Sequence, residues 1–395
     1  MKKTTVVQHD KDYFMNVFGD RFPVVVDKGE GVYLYDNDGQ EYLDFGAGIA
    51  VNVLGYNYPE ITAGLKEQIE KVMHASNLYY YEIQAKASKL LVENSCCDKV
   101  FFGNSGAEAN EGAIKLARKY FKAQGEDKYE VITMNNSFHG RTLATLAATG
   151  QKKYHKPFEP VPEGFKSVEY NDLAAVEDAV TDQTAAIMVE LVQGEGGVNP
   201  IDFDFLHSLR QLCDEQGLLL IFDEIQTGIG RTGELFAYQN YDVKPDIFTL
   251  AKGLGNGVPV SAFLAKAEIA DSFDIGDHGS TFGGNPLACK AVYLTLQSIL
   301  KDNILADVKQ VSSYLEEELN KLAKEYDIIK EVRGLGLMLG IELSVSASDI
   351  LHEFLDRGIM VLTAGDNILR LLPPLIITKR DVDKFITIFK EILAE

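Results

Sequence analysis

Cysteine is scarce, basic charge is outnumbered, and long apolar runs are missing. The four cysteines, Cys96, Cys97, Cys213 and Cys289, include no C-x-x-C spacing. They read as buried or incidental thiols of a reducing compartment, not as a metal site or a disulfide framework. The seven histidines contain no HExxH and no closely spaced pair, so no metal is expected. Lys and Arg number 38 against 59 Asp and Glu, for a net charge of −21. That balance leaves no basic face for nucleic acid or an anionic membrane. No run approaches the roughly 18 apolar residues of a membrane span. "MKKTTVVQHDKDYF" starts basic but leads into no apolar segment, so it does not read as a signal peptide. The expectation is a soluble, cytoplasmic globular protein. With 395 residues, 46% of them hydrophobic, it can build a large core over two or three domains.

What is present is a regular alternation. "GVYLYDNDGQEYLDF", residues 31–45, alternates apolar and polar positions around a turn and predicts a β-hairpin. From about residue 60 to 275, short apolar strands ("KVFFGN", "YEVITMNN", "AAIMVELV", "LLLIFDE", "DIFTLAK") alternate with helical patterns such as "FDFLHSLRQLCDEQG". Strands alternating with helices imply an α/β domain with a mostly parallel sheet covered on both faces. Beyond about 285 the pattern becomes that of a smaller α+β domain. "NILADVKQVSSYLEEELNKL" and "DVDKFITIFKEIL" are helical, and "GLGLMLGIEL" and "NILRLLPPLII" are strand-like. The division is an N-terminal segment (1–55), a large α/β domain (56–284) and a small C-terminal domain (285–395).

Three segments place chemistry at strand ends, where open parallel sheets bind ligands. "FFGNSGAEANEG" runs strand, glycine turn, helix; Ser105 and Glu108 have capping-box spacing. The turn either simply starts the helix or also holds a phosphate on the N–H groups of Gly106 and Ala107. "LLLIFDE" puts Asp223 and Glu224 after an apolar run, where an acid either caps a turn or, if buried, needs a partner. "DIFTLAKGLGNG" does the same with Lys252, which either snorkels to the surface or is desolvated. A desolvated lysine keeps more neutral amine, as an imine-forming nucleophile requires. Taken together, a phosphate cradle, a buried acid and a buried lysine on one sheet edge match the needs of pyridoxal 5'-phosphate. Gly253, Gly255 and Gly257 are expected to keep Cβ atoms out of the space its ring would fill.

"NSGAEANEGAIKLAR", "FHGRT", "VELVQGEGGV", "FDEIQTGIGRTG", "LAKGLGNG" and "HGSTFGGNPLAC" occur in the order of the class III pyridoxal-phosphate aminotransferases, which the chain resembles over nearly its whole length. The resemblance implies fold type I, the aspartate aminotransferase-like fold with a seven-stranded sheet. It also implies that the N-terminal segment joins the small domain and dimer contacts. "GAGIAVNVLGY", "HASNLYY" and "LTAGDNILRLLPPL" make the chain most similar to the acetylornithine-type branch. The implied reaction moves the terminal amine of N2-acetylornithine to 2-oxoglutarate, in arginine biosynthesis.

The resemblance implies the following roles. Lys252 binds the cofactor aldehyde, and Asp223 pairs with the ring nitrogen. Ser105, Gly106 and Ala107 hold the phosphate. Phe138 and Ile225 cover the ring faces, and Gln226 meets the ring hydroxyl. Thr281 reaches the phosphate of the neighbouring subunit, making a homodimer with shared active sites. Arg141 and Ser280 bind acetylornithine, while Arg370 reads the oxo acid and pairs with Glu195 at other times. Departures are "GYNYPEI" for the frequent "GHCHPEI", Phe18 for a frequent tyrosine, and Ala107 for a frequent threonine, which removes one hydroxyl contact to phosphate. Three alternatives stay open: a sister aminotransferase (ornithine, succinylornithine, 4-aminobutyrate or an acetyl-lysine-type donor), an aminomutase, and a non-catalytic binding protein.

Overall fold

The computed structural model describes all 395 residues. Its centre is a seven-stranded sheet in the order Lys99–Gly103, Ser261–Ala265, Ile247–Leu250, Leu219–Asp223, Thr184–Glu190, Glu130–Met134, Phe165–Val168. The last five are mutually parallel, and Ser261–Ala265 is antiparallel to both its neighbours. Thr184–Glu190 and Leu219–Asp223 are buried at every position. Such strands are apolar throughout because both faces are covered. Alternate side chains still choose sides: Leu219 and Ile221 pack with Ala113, Leu116 and Ala117 of the helix Gly106–Ala123. Leu220 and Phe222 join the larger cluster holding Phe205, Leu206 and Leu209 of the helix Phe203–Gln216. Asp202 caps that helix by accepting the Phe205 N–H at 2.9 Å, and Gly217, at φ +60°, ends it.

The expected hairpin is Tyr33–Asp36 against Glu41–Asp44. Its turn is tied by Asp36 Oδ1, which accepts the N–H groups of Asp38 and Gln40 at 3.0 and 2.9 Å. Ile359–Met360 pairs parallel with Glu41–Asp44, so the two ends of the chain share a sheet. A second four-stranded antiparallel sheet orders Ile329–Leu335, Met338–Leu343, Ile368–Leu371 and Leu362–Thr363. "GLGLMLGIEL", read as one strand, is therefore the end of one strand, a turn at Gly336 (φ +60°) and the next strand. A Cβ on Gly336 would meet the Arg231 carbonyl oxygen at 2.7 Å, so the turn docks directly on the segment that follows Leu219–Asp223. The strand in "NILRLLPPLII" stops at Leu371, just before Pro373 and Pro374, which have no N–H for a ladder. The helix Pro286–Lys301 packs on Pro59–Lys71 and Glu82–Glu93. No helix is long and apolar enough to cross a membrane.

Candidate active site

The carboxyl ends of the large sheet's strands enclose a cavity of ≈580 Å³. Its walls bring together residues more than a hundred positions apart, among them Ser105, Gly106, Phe138, Asp223, Ile225 and Lys252.

Lys252 follows its strand by two residues and sits at φ +42°, a left-handed conformation that costs a non-glycine residue on the order of 1–2 kcal/mol. Its amine makes no ion pair; desolvation, then the charge of Arg370, push its pKa down to about 8. The glycines after it do not serve as expected. A Cβ on Gly253 would strike Val53 at 2.6 Å, and one on Gly255 would strike Val260 at 2.6 Å. Those two glycines let the loop pack against protein, and only Gly257 borders the cavity.

Asp223, 4% exposed, is held from three sides. Oδ2 accepts from Asn110 Nδ2 at 2.8 Å and lies 2.8 Å from His139 Nδ1; Oδ1 accepts the Ile225 N–H at 3.0 Å. Burial opposes a charge on His139, but its hydrogen bond to Asp223 and the charges of Asp223 and Glu190 raise its pKa above the ordinary value. Glu190 faces Asp223 across the parallel strands. Burial lifts its carboxyl to about 7, and its Oε2 accepts the Phe138 N–H at 3.0 Å. Asn110, His139 and Glu190 were not singled out from the sequence. His139 and Asn110 lie inside the quoted motifs "FHGRT" and "NSGAEANEGAIKLAR", but their contacts to Asp223 span 84 and 113 residues.

Ser105 Oγ accepts the Glu108 N–H at 3.3 Å, as a cap should, yet Glu108 turns its carboxylate to the Asn104 N–H at 2.6 Å. Gly106 and Ala107 therefore open the helix at the cavity wall, where the first N–H groups lack intrahelical acceptors. A Cβ on Gly106 would meet Ile225 Cδ1 at 2.8 Å, so a larger residue there would push the Ile225 side chain aside.

Two arginines stand in different states. Arg370, 3% exposed, donates from Nη1 to Glu195 Oε1 at 2.7 Å and the Gly194 carbonyl at 3.1 Å, and lies 3.4 Å from Gln226 Oε1. Burial would raise the Glu195 pKa, but the Arg370 charge and hydrogen bond outweigh it and hold the carboxyl below its usual range. Arg141 lines the cavity, exposed and without an ion pair, whereas Arg370 and Glu195 are not among its lining residues and Arg370 stands behind Gln226. Ser280 and Thr281 lie outside the cavity, beside Ser76, Asn77 and Leu78.

The donor set suits a flat, phosphorylated aldehyde. A helix N-terminus could take the anion, Phe138 and Ile225 line the walls, and the cavity also holds a fixed carboxylate, Asp223, and an amine without an ion pair, Lys252. A mostly parallel sheet with such groups at its carboxyl edge and a desolvated lysine beside a fixed acid suits a pyridoxal-phosphate enzyme of fold type I. In line with it, the family model "Aminotransferase class-III" matches residues 14–393. The chain belongs to that family. The acetylornithine aminotransferase of Methanocaldococcus jannaschii is 48% identical over 398 residues, covering 100% of this chain and 99% of that one. The crystal structure of N-acetylornithine aminotransferase from Stenotrophomonas maltophilia is 37% identical, with a TM-score of 0.85 and 98% of each chain covered. An ornithine aminotransferase from Toxoplasma gondii, whose structure has PLP at partial occupancy in the active site, is 34% identical. Its TM-score is 0.94, covering 100% of this chain and 95% of that one.

Proposed function

We propose that this chain transfers the terminal amine of N2-acetyl-L-ornithine to 2-oxoglutarate, yielding N-acetyl-L-glutamate 5-semialdehyde and L-glutamate, with pyridoxal 5'-phosphate as cofactor. When bound, that cofactor supplies an aldehyde for the amine and a ring that accepts electrons from the reacting carbon. The chain's residues do the rest. Gly106 and Ala107 would hold the phosphate on backbone N–H groups, beside Ser105. Phe138 and Ile225 would bound the ring and Gln226 would meet its hydroxyl. Asp223, oriented by Asn110 and His139, would hold the proton of the ring nitrogen. Lys252 Nζ, with its lowered pKa, would take and return the proton at the reacting carbon as general base.

The observation that carries the pairing of a terminal-amine donor with an oxo acid is the contrast between the arginines; the choice of acetylornithine as donor is supported by the 48% identity to acetylornithine aminotransferases. Acetylornithine has one carboxylate, far from its reacting amine; 2-oxoglutarate has one far and one beside its carbonyl. An open Arg141 suits the far carboxylate of both. Arg370, masked by Glu195 at 2.7 Å, is left for the near carboxylate of the oxo acid alone. Ser280 would assist at the far end. A second copy would complete the site: Thr281 is exposed and flanked by Leu78 (87% exposed) and Phe282 (61%), apolar surface suited to a twofold contact.

The test is a donor panel of acetylornithine, ornithine, succinylornithine and 4-aminobutyrate, each with and without 2-oxoglutarate. Acetylornithine should give the highest kcat/KM, and only with the oxo acid present. Another donor in the lead, or turnover without an acceptor, would overturn the reading.

A further inference from the structure

We infer that Tyr154 is a positioning residue for substrate choice, holding the Arg141 guanidinium open at the cavity through its ring face. The inference rests on the reading of Arg141 as the site of the distant carboxylate.

Arg141 has a long, flexible stem and no carboxylate partner, so its position needs another explanation. Its Cζ lies 4.1 Å from the centroid of Tyr154 and 5.5 Å from that of Phe138. The two rings meet edge to face, 6.1 Å apart at 81°. The negative face of an aromatic ring attracts a guanidinium without accepting its N–H groups in plane. All five donors therefore stay available to a ligand. A carboxylate in the same place would have to be displaced first, as Glu195 must be at Arg370. The two arginines are thus held by different chemistry, one masked and one open.

Tyr154 is itself anchored. It lies in the helical turn Lys152–His155, and its N–H donates to the Gln151 carbonyl at 3.0 Å. Gln151 Nε2 reaches the carbonyls of Asn136 and Ser137 at 3.3 and 3.0 Å, next to Phe138. His155 Nε2 lies 2.7 Å from the Thr149 carbonyl oxygen. Lys153 Nζ is also 5.0 Å from the Tyr154 ring, but of the two cations only Arg141 lines the cavity. Tyr154 does not line it, so it acts through Arg141.

The experiment compares holoenzyme kinetics with acetylornithine and with N-acetylputrescine, the same donor lacking its carboxylate. A cation–π contact at an exposed site corresponds to roughly a 2- to 5-fold change in binding. Tyr154→Leu should raise KM for acetylornithine and for 2-oxoglutarate by about that factor, with kcat retained and N-acetylputrescine unaffected. Tyr154→Phe, which keeps the ring, should match the wild type. Turnover of N-acetylputrescine reports a folded site, and Tyr154→Met replaces the leucine variant if that one does not fold. Equal changes for both donors, no change for either, or a phenylalanine variant that behaves like leucine would each overturn the role. A wild type indifferent to the carboxylate would instead remove the reading of Arg141, and this inference with it.

Discussion

Lys252 departs twice from a lysine in water: its backbone is left-handed, and its amine has a pKa of about 8. The strand ends at Leu250, and after Ala251 the left-handed Lys252 opens the Lys252–Gly255 turn at the cavity. At pH 7 about one amine in ten is then neutral, against about one in three thousand for an unshifted lysine. The sign is definite: a lowered pKa means the reactive form grows as pH rises toward 8 and saturates above it. Mixing the apo chain with pyridoxal 5'-phosphate should give a borohydride-reducible adduct whose rate of formation rises through about pH 8 and then levels off. Lys252→Ala should give no such adduct. A rise centred near 10.5, or a label on another lysine after peptide mapping, would contradict the assignment.

At the scale of elements, the proposed switch between substrates, the Glu195–Arg370 pair, joins two parts of the chain. Glu195 sits between the short paired segments Val192–Gln193 and Asn199–Pro200, while Arg370 comes from Ile368–Leu371 of the antiparallel sheet. A charged hydrogen bond is worth roughly 1.5–3 kcal/mol, or about 10- to 100-fold in preference. Glu195→Ala should therefore raise the single-turnover efficiency with glutamate relative to acetylornithine by up to that factor. An unchanged ratio would mean that Glu195 does not mask Arg370. How far such elements can be read from sequence depends on burial. Leu219–Asp223 and Ile247–Leu250 announce themselves because strands covered on both faces must be apolar throughout. Phe165–Val168, a partly exposed edge strand, and Ser261–Ala265, built largely of small residues, do not. Asp223 and Lys252 stand out because a charge ending an apolar run is costly to bury. His139 and Glu190 do not, because their relation to Asp223 exists only once three strand ends lie side by side. The glycines after Lys252 were legible as necessary but not in purpose, since Val53 and Val260 approach them only in the fold.

For the whole molecule, the open question is why Thr281 lies outside the cavity. A twofold dimer answers it if each Thr281 serves the site of the other subunit, and that arrangement can be tested by complementation. Thr281→Glu would set a carboxylate against the partner's phosphate and weaken its binding by like-charge repulsion, while leaving Lys252 intact. Lys252→Ala removes the amine but keeps Thr281. Each homodimer should be nearly inactive. In an equimolar mixture refolded together, about half the dimers are hybrids, by random pairing of twofold partners. In a hybrid, the subunit with Lys252 faces the Thr281 of the Lys252→Ala chain, so one site of two is whole. Activity should recover to about a quarter of wild type on that pairing, with size-exclusion chromatography confirming that both variants still dimerise. Recovery would place Thr281 in the partner's site, because no arrangement confined to one chain can combine the two intact residues. If both variants dimerise and the mixture stays inactive, or if Thr281→Glu alone keeps full activity, each subunit works with its own residues and the shared site is wrong.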